Sequence, residues 1–379
     1  SLTDLIRSKI LSGFPWNLWV HSWSWFPEVL QILNLVGFFA LNLIVITVFT
    51  IPAIVFKSKK KINTVICILV LALFFCNYIF GSYIINNNQK IIKNYEDKNE
   101  NLHKIKIVSP NFDLKYNLNN YDIENLIKEL IKYSEPDKSK ETLFIWPEGV
   151  FTGFELNDIV QYKKLFESAF STKHVIIFGA NTLGGSNKYY NSLIAIDKDF
   201  KILYQYNKKK LVPFGEFLPL ESLFSQIGLK KITQGYESFS KGDKQKNFYL
   251  KNLNILPLIC YEIIFTELTQ KAEIKTNLIV NISEDAWFGD SIGPYQHFSS
   301  AIFRAIEKNT YVARATNKGV SAFINNKGII ISSLKPKEAG NIELNIPIIN
   351  KNSKNKNDLI FFILLITYTI IFFTFKNKL

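Results

Sequence analysis

Three short stretches of this 379-residue chain set an ionisable group beside turn residues at the end of an apolar run. In "FIWPEGVFTGFE" (144–155), Pro147 forces the chain out of a strand-like run and leaves Glu148 at its tip, where α/β sheets place reactive groups. In "YNKKKLVPFGEFLPL" (206–220), Lys208 stands eight residues before Glu216. In "ICYEIIF" (259–265), Cys260 closes an apolar run and Glu262 follows two positions later. Burying a thiol and a carboxyl this close together is costly unless each has a partner. Each stretch alone has a plain structural reading: a solvated loop acid, one of three surface lysines, a small core-filling thiol. Together they supply the parts of an acyl-transfer site. A thiol needs a base to become a nucleophilic thiolate, and the developing oxyanion needs a positive donor. A carboxylate beside the lysine keeps that cation charged and oriented.

Other chemistries lack their signatures. The four histidines are far apart, and no CxxC, HxH or HExxH spacing occurs, so no metal is expected. There is no GxSxG, P-loop or GxGxxG, and no cofactor is expected. His297 reads as a hydrogen-bonding residue on a helix face rather than a ligand. The net charge of +13 comes from lysines scattered through Asn/Lys-rich connectors, without a zinc-finger or RNP-type motif. No nucleic-acid partner is expected.

The elements that must position these groups begin with the membrane. Apolar segments at about 30–56 ("VGFFALNLIVITVFTIPAIVF"), about 62–85 and 358–375 each approach the roughly 20 residues that cross a bilayer. Trp16, Trp19, Trp23 and Trp25 precede the first and read as an interfacial belt, so 1–85 forms a membrane region. The basic "KSKKK" (57–61) and "KNKL" (376–379) face the cytoplasm by the positive-inside rule, which puts the intervening domain in the periplasm or its equivalent. Cys67 and Cys76 lie within the second span, leaving Cys260 as the lone thiol outside the bilayer. The chain begins with serine and contains no methionine, and a missing N-terminal portion is the expectation.

Connectors at 86–103 and 350–357 read as flexible tethers around a domain at 104–349. Within it, strand patterns at 104–109, 142–146, 174–180, 253–260 and 276–283 alternate with helical ones, and 192–197 with 201–207 reads as a hairpin. Ile123, Leu126, Ile127, Leu130 and Ile131 mark one face of a helix capped near Asn119 or Asn120. The fold class is α/β, a layered sandwich rather than a pure doubly wound sheet. The apolar loop 217–229 beside the Lys–Glu stretch reads as a bilayer-facing lid.

The stretches "WPEGVF", "YNKKKLVPFGEFLP", "CYEIIF" and "DAWFGDSIGPYQH" resemble the nitrilase (carbon–nitrogen hydrolase) superfamily. With the flanking spans, the chain is similar to its apolipoprotein N-acyltransferase branch. The resemblance implies an αββα sandwich and a triad of Glu148 as general base, Lys208 as oxyanion stabiliser and Cys260 as nucleophile. It makes Glu216 and Glu262 supporting acids, and the Tyr261 amide the second oxyanion donor. The pattern departs at Tyr116 (usually Trp), Lys210 (usually His) and Glu284 (usually Asn). The implied reaction moves an acyl chain from the sn-1 position of a phospholipid, through a Cys260 thioester, to the α-amine of a diacylglyceryl-cysteine apolipoprotein. A monomeric, multi-pass enzyme of the bacterial inner membrane is expected. Two alternatives stand beside this: a membrane-tethered amidase acting on a small amide, and a non-catalytic lipid- or lipoprotein-binding module.

Overall fold

The computed structural model describes residues 1–57, 61–98, 102–115, 119–185, 188–220, 238–243, 246–349 and 358–375. Most of the apolar loop 217–229, Tyr116, the tether 350–357 and most of the two basic segments lie outside them.

Two six-stranded sheets form the centre. The first contains β1 (Leu102–Ser109), β2 (Thr142–Ile145), β3 (His174–Gly184), β4 (Lys188–Ile196) and β5 (Ile202–Asn207). The second contains β6 (Phe248–Leu250), β7 (Leu253–Ile259), β8 (Leu278–Glu284), β9 (Tyr311–Asn317), β10 (Ser321–Ile324) and β11 (Ile330–Leu334). The last strand, β12 (Gly340–Pro347), returns to the first sheet, giving the orders β12-β1-β2-β3-β4-β5 and β11-β10-β9-β8-β7-β6. The parallel pairs β1·β2, β2·β3, β7·β8 and β8·β9 occupy the centres, and antiparallel strands form the edges.

The apolar runs are continuous because both faces of each sheet are covered. Alternate residues sort cleanly between layers. Ile105, Ile107, Leu143, Ile145 and Ile177 meet Ile255, Val280, Ile282, Ala313 and Phe323 between the sheets. The opposite face of the first sheet packs Val108, Phe144, Trp146 and Phe178 on Ile123, Ile127, Leu130 and Phe166. The opposite face of the second packs Leu256, Leu258, Ile279 and Val312 on Ala301, Ile302 and Phe303, and on N-terminal residues such as Leu30, Leu33 and Phe38. The layering is helix, sheet, sheet, helix. Strands β6, β11 and β12 carry little sequence signal because they are short or half-exposed edge strands.

Helices in chain order are α1 (Leu2–Lys9), α2 (Phe38–Lys57), α3 (Lys61–Lys98), α4 (Asn120–Ser134), α5 (Lys163–Ala169), α6 (Gly293–Lys308) and α7 (Leu359–Phe375). The first apolar segment is shorter as a helix than 30–56. Gly37, at φ +86°, ends a short turn at Leu33–Val36 before α2 begins. The residues 86–98, expected as tether, are the last third of α3. The helix persists because it docks. Gly81 lies so close to Glu28 that a Cβ would sit 1.8 Å from its carbonyl oxygen, and Asn88 exchanges amide hydrogen bonds with Asn326 at 2.9 and 3.0 Å. Among the described residues, α2 and α3 are long and apolar enough to cross a bilayer, and α7 is a shorter apolar helix. The tryptophans divide: Trp23 is buried against Phe49 and Phe74, whereas Trp19 and Trp25 are exposed.

Asn119 caps α4, accepting from the Asp122 amide at 3.1 Å while Asp122 accepts from the Asn119 amide at 2.9 Å. The cap satisfies donors that the first turn leaves open and fixes where Ile123, Ile127 and Leu130 meet the sheet. Asn119→Ala is expected to cost about 1 kcal/mol of stability, read as a lowered midpoint of thermal unfolding in detergent with activity preserved.

Candidate active site

The candidate residues converge where strands of both sheets end. Glu148 follows β2 through Pro147, Lys208 follows β5, Cys260 follows β7 and Glu284 closes β8. Together they line a cavity of about 440 Å³ whose walls are mostly apolar, among them Phe14, Trp16, Phe151, Val212 and Phe288.

Lys208 is fully buried, with its ammonium 2.8 Å from Glu216 Oε1 and 3.3 Å from Glu148 Oε1. Asn191 Nδ2 donates to the same two oxygens, each at 2.7 Å, and closes a ring of four side chains. The remaining oxygens are held by backbone: Glu148 Oε2 accepts from the Glu284 amide at 3.0 Å, and Glu216 Oε2 from the Val212 amide at 2.8 Å. Burial works against the charge on Lys208. The pull of Glu148 and Glu216, with a smaller contribution from Cys260, outweighs it and holds the ammonium well above its ordinary value.

Cys260 begins a 3-10 turn, Cys260–Ile264, in the left-handed region at φ +47°. A non-glycine residue held there costs of order 1–3 kcal/mol and persists only where its surroundings fix it. Burial and the nearby Glu148 push its thiol pKa upward, with Lys208 opposing. The resting group is therefore the neutral thiol. The amide of Tyr261 is in the first turn, where N–H groups have no partner within the helix.

Glu262 answers the burial problem differently from expectation. It is fully buried yet does not pair with the lysine ammonium. Its Oε1 accepts from the Tyr206 hydroxyl at 2.8 Å and from the amides of Lys209 and Lys210 at 2.7 and 3.1 Å. Its Oε2 accepts from the Ile259 amide at 2.8 Å. Burial raises its pKa and these four donors oppose the rise. Glu262 thus ties the turn at Cys260 to the backbone just after Lys208, fixing the path of the chain rather than the charge.

Several features lie beyond the sequence motifs. Trp16, expected at the interface, lines the cavity and stacks on His297 at 5.4 Å. The Tyr261 hydroxyl donates to the Gly13 carbonyl at 2.7 Å, so the N-terminal arm is anchored to the nucleophile turn. Lys210 pairs with Glu267 at 2.6 Å, away from the lysine–glutamate ring. Glu284 lies buried beside Glu148, and burial together with that neighbouring carboxylate holds its pKa well above the usual range. Ligand atoms of Cys260, Asp285 and His297 fall within 4.8 Å of one another. However, both Asp285 oxygens and both His297 nitrogens already have hydrogen-bond partners, so the cluster is built as a network rather than an open ligand set.

Residues 81–349 match the carbon-nitrogen hydrolase family. The chain belongs to that family. Among its relatives, the apolipoprotein N-acyltransferase of Rickettsia prowazekii is 32% identical over 91% of this chain and 68% of its own length. The enzymes of the same name from Rhizobium leguminosarum and Allorhizobium ampelinum are 32% and 29% identical, over 91% and 88% of this chain and 66% and 63% of their own lengths. The carbon–nitrogen hydrolase chain therefore spans about two thirds of the length of the curated relatives it matches, and it groups with their apolipoprotein N-acyltransferase branch.

Two outcomes follow from the site. Because the Cys260 thiol is raised and the thiolate is the reactive form, alkylation of Cys260 by iodoacetamide is expected to be slow at neutral pH. It should climb about tenfold per pH unit without a plateau up to the alkaline limit of folding, as followed by intact mass. A Cβ at Gly179 would lie 2.8 Å from the Glu148 Cα. Gly179→Ala must therefore move that backbone, and it should lower turnover about a hundredfold with little change in melting temperature, since displacements of about 1 Å have that effect.

Proposed function

We propose that the chain is an apolipoprotein N-acyltransferase working by ping-pong acyl transfer, with Glu148, Lys208 and Cys260 as its triad. The observation that carries this is a charged lysine–carboxylate ring and a thiol set into an apolar cavity, one wall of which (Phe14, Trp16) comes from the arm leading into α2. A small polar amide has no use for such walls, whereas an acyl chain does.

Glu148 takes the Cys260 proton as the sulfur attacks the sn-1 ester carbonyl of a phospholipid, forming the C–S bond. The Lys208 ammonium and the Tyr261 amide receive the oxyanion, in a water-poor site where such donors act strongly. Collapse breaks the ester C–O bond, and protonated Glu148 returns its proton to the leaving lyso-phospholipid oxygen. The α-amine of a diacylglyceryl-cysteine then attacks the thioester, giving its proton to Glu148, and Cys260 leaves and is reprotonated. Glu216 and Asn191 hold Lys208 in register, and Glu262 holds the backbone on either side. Helices α2, α3 and α7 cross the membrane in this reading, with the basic segments at 57–61 and 376–379 on the cytoplasmic side. The exposed Trp19 and Trp25 lie at the interface, and the enzyme is a monomer of the bacterial inner membrane with its catalytic domain outside the cytoplasm. The reading uses no cofactor.

Incubated with phospholipid, the protein should gain one acyl mass on Cys260, and a diacylglyceryl-cysteine peptide should discharge it. Cys260→Ala should give no adduct, and Lys208→Ala should form it at least about a hundredfold more slowly. An adduct from a small amide but none from phospholipid would overturn the reading in favour of an amidase, and full function in Cys260→Ala would favour a binding module.

A further inference from the structure

Next to Cys260 lies a second polar cluster that the proposed mechanism leaves unused. Its members are Asp285, His297 and Arg314, from the end of β8, from α6 and from β9, and each is almost wholly buried. His297 Nε2 lies 3.1 Å from the carbonyl oxygen of Cys260. His297 Nδ1 lies 2.9 Å from Asp285 Oδ1 and 3.1 Å from Arg314 Nη2. Arg314 Nη2 also donates to Asp285 Oδ2 at 2.8 Å, its Nη1 donates to Asn281, and the Ser283 hydroxyl donates to Asp285 Oδ1 at 2.7 Å. Trp16 and Phe288 cover the ring, with centroids 5.4 and 5.7 Å away.

The chemistry of these partners fixes the proton on Nε2. The Cys260 carbonyl can only accept, so Nε2 must carry the hydrogen. In the neutral ring Nδ1 then accepts from Arg314 Nη2, and a second proton on Nδ1, given to Asp285 Oδ1, makes the ring an imidazolium. Burial and the guanidinium both favour that neutral form, although Asp285 opposes them. In either protonation state the bond to Cys260 is the same: His297 donates to the carbonyl of the nucleophile.

That carbonyl and the Tyr261 N–H are opposite ends of one peptide group. In a trans peptide they point in opposing directions, so a donor fixed on the oxygen aims the hydrogen at the far side. A hydrogen bond accepted at the oxygen also polarises the unit and strengthens the bond its N–H can give. We infer that His297, held by Asp285 and Arg314, is a positioning residue for the oxyanion site. It holds the Cys260–Tyr261 peptide in its left-handed turn so that the Tyr261 amide faces the developing oxyanion. The inference rests on the reading of Cys260 as nucleophile and of the Tyr261 amide as oxyanion donor.

The test compares His297→Leu, which removes the donor, with His297→Gln, whose terminal amide can reach the same carbonyl. Rapid-quench intact mass follows single-turnover acylation of Cys260 by phospholipid, and iodoacetamide alkylation serves as the control. In His297→Leu, acylation should slow about a hundredfold with KM for phospholipid changed less than threefold, while alkylation stays within threefold of the parent. His297→Gln should recover at least tenfold of the lost rate. Acylation of His297→Leu at the parent rate would overturn the inference. So would a matched fall in acylation and alkylation, which is the mark of a general collapse of the turn. Equal loss in both variants would also overturn it, since the donated hydrogen bond would then be irrelevant. Cys260→Ala separates the two levels: an acyl adduct surviving in that variant defeats the underlying reading, whereas an adduct that needs Cys260 but ignores His297 defeats only this inference.

Discussion

The buried charge of Lys208 is the constraint on which the rest of the site depends. An ammonium removed from water without partners would lose its proton or unfold its surroundings. Here it is held by two carboxylates, but the solution creates further obligations. Glu148 and Glu216 must themselves be fixed, and the Asn191 amide together with the backbone amides of Glu284 and Val212 does this. Those backbone groups belong to the end of β8 and to the segment after β5, so the position of one ammonium depends on the alignment of both sheets. Apolar packing between the sheets, through residues such as Ile145, Ile177, Val280 and Ile282, sets that alignment and has no other direct role in the chemistry.

The same constraint explains why the acids differ in their partners. Glu148 and Glu216 face a cation, while Glu284 lies behind Glu148 with an amide and an Asn317 donor but no cation. Burial and the neighbouring Glu148 and Asp285 push the Glu284 pKa well above the usual carboxylate range. Glu262 is a third case: it is ringed by four donors, so its burial is met by hydrogen bonds instead of by an opposite charge. Environments that separate otherwise identical carboxyl groups are how one site assigns them different work.

Much of this was legible in the residues. Continuous apolar runs marked the central strands because both their faces are covered, the period-3.6 pattern marked α4 because one face is buried, and of the two candidate caps the structure uses Asn119. The motif residues drew attention together rather than singly, since Glu148 and Cys260 each end an apolar run and Lys208 stands eight residues before Glu216. The edge strands β11 and β12 were less visible, since half-exposed strands mix polar and apolar residues. Residues 86–98 are helical although their composition suits a tether, and contacts of Asn88 with Asn326 and of Ile92 with the core dock them, which composition does not reveal. His297 was read as a hydrogen-bonding residue on a helix, which is what it is. What sequence could not supply was the partner, because the Cys260 carbonyl is a backbone group and leaves no mark in the residue types.

That last point bears on how the two halves of the molecule cooperate. The turn at Cys260 is gripped from three directions. Glu262 ties it to the Lys208 segment, and His297 ties it to β8 and β9 through Asp285 and Arg314. The Tyr261 hydroxyl ties it to the arm before α2, while Trp16 from that arm packs on His297. The contacts that surround the left-handed Cys260 thus come from both sheets, a helix and the apolar N-terminal arm. The arm therefore belongs to the candidate site as the strands do. A domain cut away from it at residue 104 would keep every charged member of the triad and lose both the cover over His297 and the Gly13 anchor of the turn.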